Sequence, residues 1–254
     1  MINPILLAFF ATLFTYFITA LGASLVFFFK NVNKKLLDIM LGFSSGIMIA
    51  ASFWSLLNPA IELAQQIGKT PYIEPAIGFL LGGLLIIVSD IILEKKAKIQ
   101  SKNKQSFLLV FAVTLHNVPE GMAIGVAFGL LNANIPGVTL ISAILLAIGI
   151  GLQNFPEGAC VSMPLLASGK SRTKAFVIGQ ASGLVEPIAG IIGALFAIAV
   201  QNALPFLLSF SAGAMIAIVC SELIPDAFKD NKTFASIGVL TGFIIMMVLD
   251  VALG

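Results

Sequence analysis

The sequence predicts an all-α integral membrane protein with eight transmembrane helices. The chain has 254 residues, of which 59% are hydrophobic and only 10% are charged. Soluble domains carry about 25% charged residues, so the composition excludes a water-soluble enzyme. A spanning helix needs about 20 apolar residues, and a chain of this length has room for roughly eight of them and no separate soluble domain. We therefore expect one transmembrane domain over residues 1–254.

The predicted helices follow one another with short connections. Helix α1, residues 5–28, is free of charge and follows no basic residue, so it lacks the start of a signal peptide and is expected to remain. Helix α3 carries the acidic residue Asp90 near its end. The other predicted bounds are about 39–61 for α2, 76–93 for α3, 107–131 for α4, 137–166 for α5, 175–201 for α6, 204–224 for α7 and 234–253 for α8.

The positive charges alternate between the two sides of the predicted membrane. Thirteen of the 14 Lys and Arg residues lie in the α1–α2, α3–α4, α5–α6 and α7–α8 connections, and Lys69 is the exception. Because cytoplasmic loops are enriched in Lys and Arg, both termini are expected on the extracytoplasmic face of a cell membrane. We interpret the run Lys95–Lys104 as an anchor for this topology in the lipid bilayer, not as a nucleic-acid site.

Internal repeats relate the two halves of the chain. Phe43-Ser-Ser-Gly-Ile-Met-Ile-Ala in α2 resembles Phe210-Ser-Ala-Gly-Ala-Met-Ile-Ala in α7, and the Gly, Leu, Val and Asp90 positions of α3 recur around Asp250 in α8. Leu115-His-Asn-Val-Pro-Glu-Gly in α4 matches Leu152-Gln-Asn-Phe-Pro-Glu-Gly in α5. Paired helices cross the predicted membrane in opposite directions, which indicates the inverted repeat that many secondary transporters use.

Polar side chains in the predicted helices α4, α5 and α6 form a candidate metal site. One ionised carboxylate at a helix centre costs roughly 2.5–3.5 kcal/mol, and the spans offer no Lys or Arg as a partner. Residues four apart share a helix face, so His116 lies beside Glu120 and Gln153 beside Glu157. A bound cation would keep such carboxylates charged. The candidate ligands are His116, Asn117, Glu120, Gln153, Asn154, Glu157 and Glu186.

The donor set points to a particular class of metal. One imidazole, amides and carboxylates form a mixed nitrogen and oxygen set that suits a divalent first-row transition metal. Zinc, iron, manganese, cobalt and cadmium all accept such ligands. The ion would be the transported cargo, and we expect no prosthetic group. His116 is the only histidine of the chain and lies one helical turn from Glu120, so we expect it to be a metal ligand.

Two further acids lie toward the predicted cytoplasmic ends of their helices. Asp90 on α3 and Glu222 on α7 either form an exit for the ion or are interfacial acids solvated by headgroups. Cys160 and Cys220 both sit in apolar runs and indicate no disulfide framework. A homodimer is compatible with these features.

These motifs resemble the ZIP (Zrt-, Irt-like protein) family of metal transporters, particularly its prokaryotic branch. The resemblance covers essentially the whole chain and rests on the paired α4 and α5 motifs, on Glu186-Pro187 in α6 and on Ser221-Glu-Leu-Ile-Pro-Asp226 in α7. It implies metal uptake into the cytoplasm, helices α1–α3 inverted against α6–α8 around central α4 and α5, and an elevator-like movement.

The resemblance also implies a binuclear metal centre between α4, α5 and α6. One implied site is His116, Glu120, Gln153 and Glu157, and the other is Asn117, Glu120, Asn154, Glu157 and Glu186. Two other functions compete with metal transport. An intramembrane metal-dependent hydrolase usually needs several histidines around zinc, and a proton-coupled carrier of organic solutes would use the glutamates as proton sites.

Overall fold

The computed structural model describes residues 3–29, 34–95, 101–131 and 139–253, and these residues form helices and short connections. Within these described ranges, eight helices are long and apolar enough to cross a membrane, which confirms the predicted number. Their lipid-facing sides carry exposed apolar residues such as Phe10, Phe17, Leu80 and Ile141. The spans are Pro4–Phe28 (α1), Lys35–Gln66 (α2), Ile73–Ile92 (α3), Phe107–Gly129 (α4), Leu140–Ala167 (α5), Arg172–Leu195 (α6), Ala197–Ala227 (α7) and Lys232–Ala252 (α8).

The boundary between α6 and α7 differs from the prediction. We expected it at residues 201–204, which include the polar Gln201 and Asn202, whereas α6 ends at Leu195 and α7 begins at Ala197. Phe196 has φ −114° and ψ 35°, which lies outside the helical region and separates the two helices. Gln201 and Asn202 therefore belong to the first turns of α7, so local polarity was a poor guide to this boundary.

Four spans contain turns that depart from the α-helix. In α2 the segment Ser52–Leu57 is π-helical, and in α7 the segment Val219–Leu223 is π-helical. Segments of 3₁₀-helix end α1 at Ser24–Phe28 and interrupt α6 at Ser182–Leu184. Such turns often occur at functional sites in helices. The sequence prediction treated all four spans as uninterrupted helices.

The helices pack as two groups of four. The most extensive contacts join α2 with α8 and α3 with α7, and likewise α4 with α6 and α1 with α5. We call α2, α3, α7 and α8 the frame helices, and α1, α4, α5 and α6 the site helices. Contacts of α4 with α7 and of α2 with α5 connect the two groups.

Glycines bring the backbones of the frame helices into close contact. A methyl group on Gly82 of α3 would lie 1.7 Å from the carbonyl oxygen of Phe210 on α7. A methyl group on Gly242 of α8 would lie 2.1 Å from the carbonyl oxygen of Phe43 on α2. Gly82 corresponds to Gly242, and Phe210 to Phe43, in the sequence repeats. The same contact thus occurs twice, while the inverted orientation of the copies stays a prediction.

Several of the lysines on which the predicted topology rests lie outside the described residues. This applies to Lys30 in the α1–α2 connection and to Lys96 and Lys98 in the α3–α4 connection. The side chains of Lys34, Lys95, Lys102 and Lys104 also lie outside the described part. Gly137, the predicted start of α5, is outside it as well, and the described helix begins after the N-cap Thr139.

Candidate metal centre

Three buried side chains from α4 and α5 meet inside the membrane-spanning region. His116 Nε2 lies 2.9 Å from Glu157 Oε1 and 3.3 Å from Glu120 Oε1. One potential ligand atom from each of the three residues lies within 4.8 Å of the other two. Their spacing permits a single ion to contact one imidazole nitrogen and two carboxylates, which is a set suited to zinc and similar metals.

The burial of this cluster makes an uncompensated charge costly. His116 is 0% exposed, Glu120 2% and Glu157 4%. Both oxygens of Glu120 and Oε2 of Glu157 have no hydrogen-bond partner among the described residues. Buried carboxylates normally pair with a cation or coordinate a metal. These oxygens are therefore available for an ion that enters the cluster.

The two asparagines are oriented by their amide nitrogens. Asn117 Nδ2 donates a hydrogen bond to the Ser182 carbonyl oxygen at 2.8 Å. Asn154 Nδ2 donates to both carboxylate oxygens of Glu186, each at 2.9 Å. Since a carbonyl or carboxylate oxygen can only accept, the NH₂ group must face these partners. Both Oδ1 atoms are buried and lack a partner within the described ranges, so each amide has an oxygen available for a cation.

The interruption of α6 explains the position of Glu186. The 3₁₀ segment Ser182–Leu184 precedes a new helical segment, Val185–Leu195, so Glu186 and Pro187 lie in its first turn. Glu186 is fully buried, and Thr15 of α1 donates a hydrogen bond to its Oε2. Thr15 thus joins Asn154 in holding the third glutamate, so that α1 contributes to the site as well.

Gln153 contacts a residue that was not among the predicted ligands. Its amide Nε2 donates to Asp250 Oδ1 near the end of α8, and its Oε1 is buried without a partner among the described residues. Ser55 Oγ, in the π-helical segment of α2, donates to Asp250 Oδ1 at 2.7 Å. Asp250 is itself only 7% exposed. Asp250, on the frame helix α8, therefore contacts Gln153, which lies next to the three-residue cluster.

Proline in α4 frees a backbone acceptor beside the cluster. Pro119 lacks the N–H that would bond the Leu115 carbonyl oxygen four residues earlier. Ser211 Oγ of α7 donates a hydrogen bond to this oxygen at 3.0 Å. The frame helix α7 thus supplies the hydrogen-bond donor that the backbone of α4 cannot supply to Leu115.

The remaining predicted acids lie away from the three-residue cluster. Asp90 is half-buried near the C-terminal end of α3, and Glu222 is half-buried in the π-helical segment of α7. Neither belongs to the group formed by His116, Glu120 and Glu157. Cys160 is buried and Cys220 exposed, and both are free thiols, as expected.

The sequence prediction missed Asp250, Ser55 and Thr15. Asp250 was noted only as the repeat partner of Asp90, although that correspondence was itself a signal that both acids serve one purpose. In the sequence, Ser55 and Thr15 look like any other hydroxyl residues of an apolar helix. Only the packing of α1 and α2 against the site reveals their partners.

Known proteins are similar in sequence to this chain over nearly all of its length. The family model described as ZIP zinc transporter matches residues 92–250. Zinc transporter ZIP11 of Xenopus tropicalis is 35% identical, over 99% of this chain and 98% of its own. Zinc transporter ZupT of Chlorobaculum parvum is 34% identical, over 100% of this chain and 99% of its own. Zinc transporter ZIPB of Bordetella bronchiseptica is 35% identical over 93% and 78%, respectively.

Proposed function

Because this chain belongs to the ZIP family of zinc transporters, we propose that it carries zinc across a cell membrane into the cytoplasm. The family consists of transporters and not of enzymes, which removes the intramembrane hydrolase from consideration. The chain itself is a multi-pass membrane protein. Iron, manganese, cobalt and cadmium are alternative cargo, since each accepts the same donor atoms.

The observation that carries this proposal is the buried group of His116, Glu120 and Glu157, whose ligand atoms lie within 4.8 Å of one another. A cation that binds there replaces its water shell with two carboxylates and an imidazole. Intramembrane ionisable residues of this kind typically mark an ion pathway. A proton carrier for organic solutes would use the glutamates but gives no role to the asparagines.

The centre holds two metal positions that share Glu120 and Glu157. The first uses His116 and Gln153 in addition to the shared carboxylates. The second uses Asn117, Asn154 and Glu186, and the unpartnered, buried Oδ1 atoms of both asparagines support it. Carboxylates bridge metal ions readily because each has two oxygens, and sharing them reduces the repulsion between two neighbouring cations.

The acids outside the centre define the ends of the route. With both termini extracytoplasmic, Asp250 and Ser55 lie on the outer side of the centre and receive the ion. Asp90 and Glu222 lie on the cytoplasmic side and release it. Metal ions enter and leave such a site through a series of weak oxygen contacts, because binding must be reversible at each step.

Transport of radioactive zinc into proteoliposomes tests the proposal. Glu120→Ala and Glu157→Ala should each abolish uptake, because each removes an oxygen donor shared by both metal positions. Glu74→Gln is the matched control, since Glu74 pairs with Lys69 outside the cluster at 2.9 Å and should leave uptake unchanged. Normal uptake by either cluster variant, with the protein inserted at wild-type level, would refute the proposal.

A further inference from the structure

The turn between α5 and α6 carries a cluster of cations without acidic neighbours in the sequence. Lys170 precedes Ser171, the N-cap of α6, and Arg172 and Lys174 lie in the first helical turn. We call these three cations the α6 cation cluster. Residues 158–185, which surround the cluster, contain no Asp or Glu. Lys170 and Arg172 are half-buried and Lys174 is exposed.

The other connections on the same predicted side of the membrane differ in this respect. Each has an acid within three residues of one of its cations, namely Asp38, Glu94 and Asp230. Asp and Glu contribute little to the rule that enriches cytoplasmic loops in Lys and Arg. That rule therefore explains the cations of all four connections, but it does not explain why only the α5–α6 connection lacks acids.

The elements packed against the α6 cation cluster supply no acid either. The beginning of α6 contacts the end of α5 and the 3₁₀ segment Ser24–Phe28 of α1, which is uncharged. Among the residues that the structure describes, no carboxylate forms an ion pair with Lys170, Arg172 or Lys174. Three like charges in such proximity repel one another. An anion from outside the chain would offset this repulsion.

Exposed apolar side chains border the cluster on its membrane-facing side. Lys174 and the exposed Val177 are three residues apart on α6 and are therefore neighbours on the helix surface. The ring of Phe27 on α1 lies 5.3 Å from that of Phe176 on α6, and the next residue, Phe28, is 80% exposed. Cations next to exposed apolar surface match a phospholipid, whose phosphate adjoins its acyl chains.

We propose that Lys170, Arg172 and Lys174 bind the headgroup of an anionic phospholipid, whose acyl chains lie beside Val177 and Phe27. In the predicted topology this lipid belongs to the cytoplasmic leaflet. A guanidinium group binds phosphate oxygens through two parallel hydrogen bonds, and an ammonium group adds a point charge. A zwitterionic headgroup would bring a further cation into the cluster, so a headgroup with net negative charge is favoured. The site is separate from the metal centre and does not depend on the proposed transport.

Binding of short-chain lipids to the purified full-length protein in an uncharged detergent tests this inference. Dioctanoyl phosphatidylglycerol has a net negative charge, whereas dioctanoyl phosphatidylcholine has the same chains and phosphate but no net charge. Calorimetric titration should show at least about tenfold tighter binding of the anionic lipid, since one Lys or Arg beside anionic lipid contributes about a fivefold factor. Equal affinity for the two lipids would overturn the inference.

Single charge changes locate the binding site. Arg172→Gln and Lys174→Gln should each weaken binding of the anionic lipid about fivefold and leave binding of the zwitterionic lipid unchanged. Lys229→Gln is the matched control, because it removes the same charge from the α7–α8 connection, where Asp230 is adjacent. It should leave the affinity unchanged. An equal loss in Lys229→Gln would indicate diffuse attraction to the whole face and would overturn the proposed site.

A competition experiment separates a lipid headgroup from a free anion. Inorganic phosphate, at the concentration at which the anionic lipid saturates the protein, should not displace the lipid, because it lacks the acyl chains. Displacement at equal concentration would mean that the cluster binds a soluble anion and would refute the lipid assignment. The titrations need no zinc, so their failure would leave the zinc-uptake proposal intact, and the uptake experiment in turn does not test the lipid site.

Discussion

The α4 and α5 motifs are nearly identical in sequence but differ in what their side chains contact. In α4, His116 lies against the carboxylates of Glu120 and Glu157. At the equivalent position of α5, Gln153 donates its amide to Asp250 on a frame helix. The two copies of the motif therefore differ in their partners: the α4 copy places an imidazole beside the two carboxylates, and the α5 copy contacts the acid Asp250 on α8.

The asparagines of the two motifs differ in a similar way. Among the described residues, Asn117 donates only to a backbone carbonyl of α6, whereas Asn154 donates to the Thr15 carbonyl oxygen of α1 at 3.3 Å and, in addition, to the carboxylate of Glu186 at 2.9 Å. A backbone anchor fixes an amide whatever the state of the metal site. An anchor on a candidate ligand couples the amide to metal binding, because an ion that takes Glu186 competes with the amide for the same oxygens. The α5 half of the centre should thus reorganise more when metal enters.

The largest expected difference between the two motifs concerns His116 and Gln153. His116→Ala removes the nitrogen donor beside both carboxylates, so zinc affinity should fall by roughly 100-fold, the upper range for losing support at a metal site. Gln153→Ala should cost less, because it removes a neutral amide that also serves Asp250. Calorimetric zinc titration of the purified variants measures both effects. A greater loss for Gln153→Ala would reject the assignment of the first metal position.

An intermediate effect is expected from Thr15, which shares Glu186 with the α5 asparagine. Thr15→Val removes a donor that orients this carboxylate, and zinc affinity should fall about tenfold, as for other residues that support metal ligands. Thr15→Ser keeps the hydroxyl and should restore the wild-type value in the same titration. Thr114→Val is the control, because the Thr114 hydroxyl bonds Val110 within α4. Equal losses for Thr15→Val and Thr15→Ser would contradict the role of the hydroxyl.

The smallest effect is expected from Ser55, which contacts Asp250 and not the centre. Ser55→Ala removes one hydrogen bond to a carboxylate, so uptake at low zinc concentration should slow by about two- to fivefold. Uptake at saturating zinc should be unchanged, because the residue acts before the ion reaches the cluster. Measuring the initial rate over a range of zinc concentrations separates these cases. A change confined to saturating zinc would contradict a role on the outer side.

Sequence reasoning predicted those features that repeat along the chain or recur with a helical period. The eight spans follow from apolar runs between charged loops, and the His116–Glu120 and Gln153–Glu157 pairs follow from four-residue spacing. The family was identified from the paired Pro-Glu-Gly motifs, and the comparisons confirm it. These inferences need only local information.

The rest depended on contacts between distant parts of the chain. Asp250 lies 97 residues from Gln153, and Thr15 lies 171 residues from Glu186. No periodicity connects such positions, so the sequence could not pair them. The break at Phe196 was also missed, because an apolar residue with non-helical backbone angles looks like any other apolar residue of a span.

The π-helical segment Ser52–Leu57 has a consequence for how relatives of this protein should be compared. A wide turn accommodates one residue more than an ordinary turn, and each residue of an α-helix rotates the chain by about 100°. A homologue that lacks one residue here would regain a regular helix and keep its membrane depth. It would, however, present a different side chain to the acid on α8. An alignment with such a homologue therefore requires a one-residue gap in this stretch, and an ungapped match would assign the hydroxyl of Ser55 to the wrong position.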